Sequence, residues 1–235
     1  MMVAIVIPAH NEEEVIAHTV KSLEEKLGIE HETIVVNDHS LDSTAAVVKD
    51  LMKQYPSLSL VDNDRGRGFA SALRKGFSVS NSELIVPLMA DSCDTPETIQ
   101  DMLAMAKEGF DVVVGSRYMT GGKKSGGPRL QSFFSRFVGR SLRFIIGIPT
   151  CDVSNSFKCY RKIVLDAIKC ESKGFEISME LTLKAFFSGF KITEVPTIWK
   201  GREIGKSKFY LLKVAPNYIW LYLWAIFANK EGSKD

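Results

Sequence analysis

The chain has no Cys-x-x-Cys pair. Its four cysteines, Cys93, Cys151, Cys159 and Cys170, are scattered, which excludes a zinc ribbon and a disulfide scaffold and suits a reducing cytosol. An integral membrane domain is also missing. The tail Val214–Asn229 carries no charge, but it is only sixteen residues long and contains Pro216 and Asn217, short of the roughly 20 apolar residues a spanning helix needs. No glycine-rich turn follows the first strand. Gly66-Arg67-Gly68 comes after the third strand, with Ser71 where a third glycine would stand, so a dinucleotide fingerprint is rejected. Net charge is almost absent, +2 from 30 basic and 28 acidic residues; bulk charge names no partner, and nucleic acid is not expected. One absence is local. From Val112 to Cys151 there is no Asp or Glu, while Arg117, Lys123, Lys124, Arg129, Arg136, Arg140 and Arg143 all fall there. Met1 leads straight into a strand, so no signal peptide is expected.

What is present is a series of apolar runs that end in polar residues. Val3–Pro8, Thr33–Val36, Leu58–Val61, Leu84–Met89 and Phe110–Gly115 read as strands, with helical spacing between them. The expectation is an α/β fold with a doubly wound, mostly parallel sheet and right-handed crossovers. Ligands of such sheets bind beyond the carboxyl ends of the strands. Asp38 and the acids Asp91 and Asp94 stand there. Two acids three residues apart on a turn can share a hard divalent cation with phosphate oxygens. Thr95-Pro96 then reads as the cap and first position of a helix. Cys93, between the acids, reads as a buried filler, since a hard cation does not favour sulfur. A phospho-receiver domain also has an early Asp pair, but it needs neither this crevice nor the residues that follow.

Met119–Gly127 reads as a mobile Gly- and Lys-rich loop. Pro128 opens a helix to about Ile146. On it Arg129, Arg136, Arg140 and Arg143 share one face, and Phe133, Phe134, Phe137, Phe144 and Ile145 fill much of the rest. A basic, aromatic amphipathic helix suits an anionic membrane surface. Ile192–Trp199, broken by Pro196, reads as an edge strand, and residues 200–208 as a flexible basic loop able to close over phosphates. Trp220, Trp224, Tyr218 and Tyr222 in the tail favour an interfacial helix. The expected organisation is one domain over residues 1–209, with a half to about 118 that holds a nucleotide-sized crevice and a basic half from 119, then a tail over 210–235.

Taken together the motifs resemble the family 2 inverting glycosyltransferases, and among them the dolichol-phosphate (polyprenyl-phosphate) mannosyltransferase-like group. The matching residues run Ile7-Pro-Ala-His-Asn-Glu12, Asn37-Asp-His-Ser-Leu-Asp42, Arg65-Gly-Arg-Gly-Phe-Ala70, Met89-Ala-Asp-Ser-Cys-Asp94, Gly115-Ser-Arg-Tyr118 and Arg202 to Phe209. The resemblance implies a GT-A (Rossmann-like) fold, a GDP- or UDP-sugar donor, and Mg²⁺ or Mn²⁺. It implies that Pro8, His10, Glu12, Asp38 and Ala90 line the donor pocket, with His10 where the family often has Tyr. Asp91 would bind metal and diphosphate, and Asp94 would complete the metal site. Many relatives have Asp-x-Asp, whereas this chain has Met89 at the first position, so the metal site is shifted to Asp91 and Asp94. Arg117, Arg202 and Lys208 would act in catalysis by holding phosphate. Arg117, Arg129, Ser135 and Arg202 are the candidates for the acceptor phosphate.

The reaction so implied is an in-line displacement at the anomeric carbon of a hexose, mannose or glucose. Metal, Arg and Lys would stabilise the leaving diphosphate. A hydroxyl acceptor needs a general base; a polyprenyl phosphate is already an anion. The acid-free stretch favours the lipid phosphate and a peripheral place on the cytoplasmic face of a membrane. Transfer to a glycan or protein hydroxyl, and a non-catalytic nucleotide-sugar-binding adaptor, are the other readings. A membrane-protein partner or a homodimer would suit the tail equally.

Overall fold

A computed structural model describes residues 2–202 and 211–232. Nine strands and eight helices follow one another there. The first half alternates strictly: β1 (Val3–Ala9), α1 (Ile16–Leu27), β2 (His31–Asn37), α2 (Thr44–Leu51), β3 (Leu58–Asp62), α3 (Phe69–Val79), β4 (Leu84–Pro87), α4 (Thr98–Lys107) and β5 (Val112–Ser116). The second half is less regular: β6 (Lys123–Ser125), α5 (Arg129–Ile146), β7 (Lys158–Arg161), α6 (Lys162–Ala167), α7 (Ile177–Phe187), β8 (Ile192–Pro196), β9 (Ile198–Lys200) and α8 (Leu211–Gly232).

Seven strands form the main sheet in the order β3-β2-β1-β4-β7-β5-β8. All pairs are parallel except those of β7, which is antiparallel between β4 and β5. The chain runs outward from β1 through β2 to β3, then returns to place β4 on the other side of β1. That reversal opens a crevice above β1 and β4, where the loops after the strands part.

The apolar strands are buried on both faces, as parallel strands must be. Leu23 and Leu27 of α1, Val48 and Leu51 of α2, and Ile99 and Met102 of α4 cover one face. Leu73 and Phe77 of α3, with Ile177, Leu181 and Ala185 of α7, cover the other. Each such side chain contributes about 1.5–3 kcal/mol on burial. A third cluster joins α5, α7 and α8 through Leu142, Ile146, Val153, Met179, Leu183, Leu221 and Ala225. The tail is thus a helix seated on the domain by one face, while Ile219, Trp220, Leu223 and Phe227 stay exposed. Among the described residues no helix is long and apolar enough to cross a membrane.

Three local expectations change. The helix after the acidic turn begins at Thr98, not at Thr95-Pro96, because the Thr95 hydroxyl is drawn away to the carbonyl of Ile198, 2.5 Å distant. Met119–Gly127 is not wholly a loop: β6 lies within it and pairs with β9 in a separate two-stranded sheet. The run Ile192–Trp199 splits at Pro196, with β8 remaining as the edge strand of the main sheet and β9 leaving it. Glu12 and Glu13 lie before α1, and their carboxylates serve other loops, Glu13 accepting from the backbone of Ser43 at 2.8 Å.

Candidate active site

The loops after β1, β2 and β3 are tied by their own polar groups. The backbone N–H of Asp38 donates to the Ala9 carbonyl at 2.7 Å. The Asp38 carboxylate, buried, accepts from Asn63 Nδ2 at 2.7 Å and from the backbone N–H of Gly68 at 2.9 Å. Gly68 has φ 140°, a conformation open to glycine, and that brings its N–H onto the carboxylate. Asp38 therefore shapes the Arg65–Gly68 loop as well as standing at the strand end. His10 is held at both nitrogens. Its Nδ1 donates to the Asp38 carbonyl at 2.7 Å, so its Nε2 is left to accept from the Arg67 guanidinium, also at 2.7 Å. Pro8 lies in β1 beside Val36 of β2. The backbone N–H of Glu12 donates to Thr44 Oγ1 at 2.8 Å, and its carboxylate pairs with Arg202. That ion pair reaches from the β1 loop to the far end of β9.

The acidic turn sits between two guanidinium groups. Arg202 feels the charge of Asp91 on one side, and Asp94 feels that of Arg117 on the other. Ser92, at the centre of the turn, has φ 56°. Its hydroxyl is held by Thr19 Oγ1 at 2.6 Å and by His18 Nδ1 at 3.2 Å, both from α1. Thr19 also donates to the carbonyl of buried Ala90 at 2.7 Å. The backbone N–H of Lys200 donates to the Cys93 carbonyl at 3.0 Å, so β9 lies over the turn as a strap. Cys93 is buried, and burial pushes its thiol well up, as befits a filler.

Asp94 differs from the other acids of the site. It is buried, and neither carboxylate oxygen has a hydrogen-bond partner. Burial first, and then the charge of Asp91, push its pKa up to about 7 against the pull of Arg117. An uncompensated buried carboxylate is costly. A hard cation between Asp94 and Asp91 would remove that cost, so the residues fit Mg²⁺ or Mn²⁺. No group of three or more His, Cys, Asp or Glu side chains converges among the described residues. Two carboxylates alone would leave the remaining positions of such a cation to phosphate oxygens and water. A cavity of about 460 Å³ opens beside the turn, lined by Thr19, Ser22, Asp91, Asp94, Glu97 and Lys200 among others.

The second half of the site is built around Arg117. Asp152, fully buried, takes Arg117 Nε and Nη2 at 2.7 Å each and its backbone N–H at 2.9 Å. Burial opposes the Arg117 charge, but the Asp152 carboxylate outweighs it and holds the guanidinium above its ordinary range. Arg117 Nη2 also reaches Ser135 Oγ at 3.3 Å, and Ser135 meets Ser154 Oγ at 2.7 Å. The Tyr118 ring has the guanidinium carbons of Arg117 and Arg136 each 5.1 Å from its centre. Beyond it a cleft of about 510 Å³ is lined by Lys124, Arg129, Ser132, Phe133 and Arg136, with Gly126 and Gly127. Lys124 lies over the Trp199 ring at 4.8 Å, and burial, then Arg117, lower its pKa to about 8. α5 approaches the loop before β7 so closely that a Cβ on Gly139 would lie 2.0 Å from the Cys151 carbonyl; no other residue fits there.

The structure thus brings together Arg117 and Ser135, and places Arg129 on the adjoining cleft. It sets Arg202 on Glu12, on the other side of the acidic turn. Lys208 lies outside the described residues. Of the arginine face of α5, Arg143 is paired with Glu194 at 2.9 Å. Asp152, Thr19 and Ser92 also join this site, and the sequence reading passed over them. The signal for Asp152 was present: it is the first acid after the long acid-free stretch.

The chain is similar to several known proteins. Relatives include the dolichol-phosphate mannosyltransferase of Pyrococcus furiosus, 31% identical over 216 residues, which cover 88% of this chain and 59% of that protein. The polyprenol monophosphomannose synthase of Mycolicibacterium smegmatis is 30% identical over 87% of this chain and 79% of its own length. The undecaprenyl-phosphate mannosyltransferase of Micrococcus luteus is 28% identical over 99% of this chain and 97% of its own. The chain therefore spans less than two thirds of the Pyrococcus protein. Among solved structures, glucosyl-3-phosphoglycerate synthase from Mycobacterium tuberculosis, in complex with Mn²⁺, UDP and glucosyl-3-phosphoglycerate, superposes with a TM-score of 0.72. It is 16% identical over 96% of this chain and 80% of that one. That likeness shows the fold, and the GT-A expectation holds. The model of the family described as "Glycosyl transferase family 2" matches residues 4–169, most of the chain, and the chain belongs to that family.

Proposed function

We propose that this protein transfers a hexose, mannose or glucose, from a GDP- or UDP-sugar to a polyprenyl (dolichyl) phosphate, with inversion and with Mg²⁺ or Mn²⁺. The observation that carries the reading is the acceptor cleft. Lys124, Arg129 and Arg136 line it, and no carboxylate does so among the described residues; the buried Asp152 is spent on Arg117. Such a cleft suits an anion that needs no general base. All three relatives are named for mannose and a polyisoprenol, which supports the same acceptor.

In this reading Pro8, His10, Glu12, Asp38 and Ala90 form the donor pocket at the switch between β1 and β4. Asp91 and Asp94 hold the cation, which when bound neutralises the leaving diphosphate. Arg202 stands at the mouth of the pocket, where its guanidinium can exchange the Glu12 carboxylate for phosphate oxygens. Lys208 is assigned to the same loop and the same phosphates. Arg117, fixed by Asp152, points Nη2 toward Ser135, and the two present donors to the acceptor phosphate from one side while Arg129 does so from the cleft.

The apolar side chains beside that cleft are turned to solvent. Phe133 is 65% exposed, Phe137 56% and Phe144 90%. The neighbouring α8 adds exposed Ile219, Trp220, Leu223 and Phe227. Aromatics next to arginines suit the headgroup region of an anionic bilayer, so the protein is read as peripheral, on the cytoplasmic face that four free cysteines favour.

The test is release of nucleoside diphosphate from a panel of GDP- and UDP-sugars with Mg²⁺ or Mn²⁺, with and without a short polyprenyl phosphate. Release that requires the lipid phosphate is the expected result and names the donor. Equal release with a hydroxyl acceptor and no lipid would overturn the acceptor, and donor binding without any release would overturn the reaction.

A further inference from the structure

β7 runs through the middle of the main sheet, yet its first residue is a lysine. Lys158 is 0% exposed. It pairs across the sheet with Val114 of β5. Among the described residues its ammonium makes no direct ion pair. Nζ donates instead to three backbone carbonyls: Val153 at 2.9 Å, Ser178 at 3.0 Å, and Asn155. An ammonium has three N–H donors, and here each has its own acceptor. Two of the acceptors bracket Ser154 in the loop before β7; the third lies in the first turn of α7.

That loop is the frame of the acceptor half. Asp152, next to Val153, fixes Arg117. Ser154 meets Ser135 of α5. Asn155 Nδ2 donates to the Gly115 carbonyl at 2.7 Å, two residues before Arg117. None of these groups can keep its place if the Val153 and Asn155 carbonyls turn away from the core, and no other side-chain donor to either is present among the described residues.

We propose that Lys158 is a positioning residue for the acceptor, a buried cation whose three hydrogen bonds fix the 152–155 loop and through it Arg117 and Ser135. The proposal rests on the acceptor reading given above. The energetics are consistent with a retained cost. Burial lowers the Lys158 pKa to about 7, offset in part by the charge of Asp152, and an apolar residue would fill the same core without that penalty. The donor pocket lies at the other end of the crevice and shares none of these bonds.

Lys158→Met removes the donors and keeps much of the volume. Steady-state kinetics with a short polyprenyl phosphate should show an acceptor KM raised about tenfold or more, with kcat at saturating acceptor within about twofold of the parent. The dissociation constant for the nucleoside diphosphate with Mn²⁺, from calorimetry, should stay within about twofold. Backbone hydrogen exchange should quicken at Asp152 and Asn155, whose N–H groups bond inside the loop, and keep its protection at Val113 and Val114. An unchanged acceptor KM overturns the proposal, as does an equal loss in donor and acceptor binding, which marks a general core defect. If Lys158→Met does not fold, Lys158→Gln, which keeps two N–H donors, takes its place with the same readouts. A parent protein that releases nucleoside diphosphate without any need for lipid phosphate would instead fail the acceptor reading, not the role of Lys158.

Discussion

In the proposed reading, the donor and acceptor sides of the crevice solve opposite problems. On the donor side nearly every polar group is answered by a neighbour from another loop: Asp38 by Asn63 and Gly68, His10 by Asp38 and Arg67, Glu12 by Arg202. The pocket is organised before anything binds. On the acceptor side one ion pair, Arg117–Asp152, is buried and complete, and around it Lys124, Arg129 and Arg136 face a cleft with no acid. A small donor of fixed shape can be met by a finished pocket. A lipid whose chain stays in a membrane is better met by one fixed post and a surplus of positive charge. Asp94, with both oxygens unpartnered, stands on the seam between the two.

The comparison can be broken most forcefully at Asp152. Asp152→Ala leaves the Arg117 guanidinium buried and uncompensated, which costs about 3–5 kcal/mol, read as a large fall in Tm by calorimetry. A loss under about 1 kcal/mol would mean that the pair is not the anchor of the acceptor half. The seam is tested through pH. Asp94 has an ordinary pKa of 3.8 and sits at about 7 when folded. Between those values the folded state keeps a proton that the unfolded chain has released, so stability falls as pH rises from about 4 to about 7 and then levels off. Asp94→Asn should flatten that slope, raise Tm above pH 7, and weaken the stabilisation that Mn²⁺ with nucleoside diphosphate gives the parent; a slope that persists in the variant would move its origin elsewhere. The smallest effect is expected at the surface. Phe137→Ser with Phe144→Ser should lower partitioning onto anionic vesicles about tenfold, near 1.4 kcal/mol, with Tm unchanged. Equal partitioning would assign the exposed stripe to a protein partner or a second copy.

Much of the fold's first half was legible in the chain because its signals are local. A strand of Val and Ile that stops at Asp38 or Asp91 declares both its own end and the site above it. The acid-free stretch likewise announced a cation-rich half. What could not be read was whatever depends on distant pairing. Thr95 looks like a helix cap until the Ile198 carbonyl takes its hydroxyl. Lys123–Ser125 looks like a loop until β9 arrives beside it. Arg143 looks solvated, and Glu194 meets it from 51 positions away. Lys158 looked like an ordinary strand residue, since nothing in its neighbours tells that three carbonyls converge on it. Local pattern fixes the elements, whereas the partners of buried polar groups are set by topology.

The pairing of β6 with β9 has a consequence for motion. Lys123–Ser125 and Ile198–Lys200 share a ladder, and Gly201 donates to the Ser125 carbonyl at 2.7 Å. The strap over the acidic turn and the segment that leads into α5 are therefore one body. If the strap lifts to admit the proposed donor, the segment that leads to the Lys124–Arg129 cleft would move with it. In solution the two openings would follow a single clock, so that neither substrate enters or leaves without the other's door moving too.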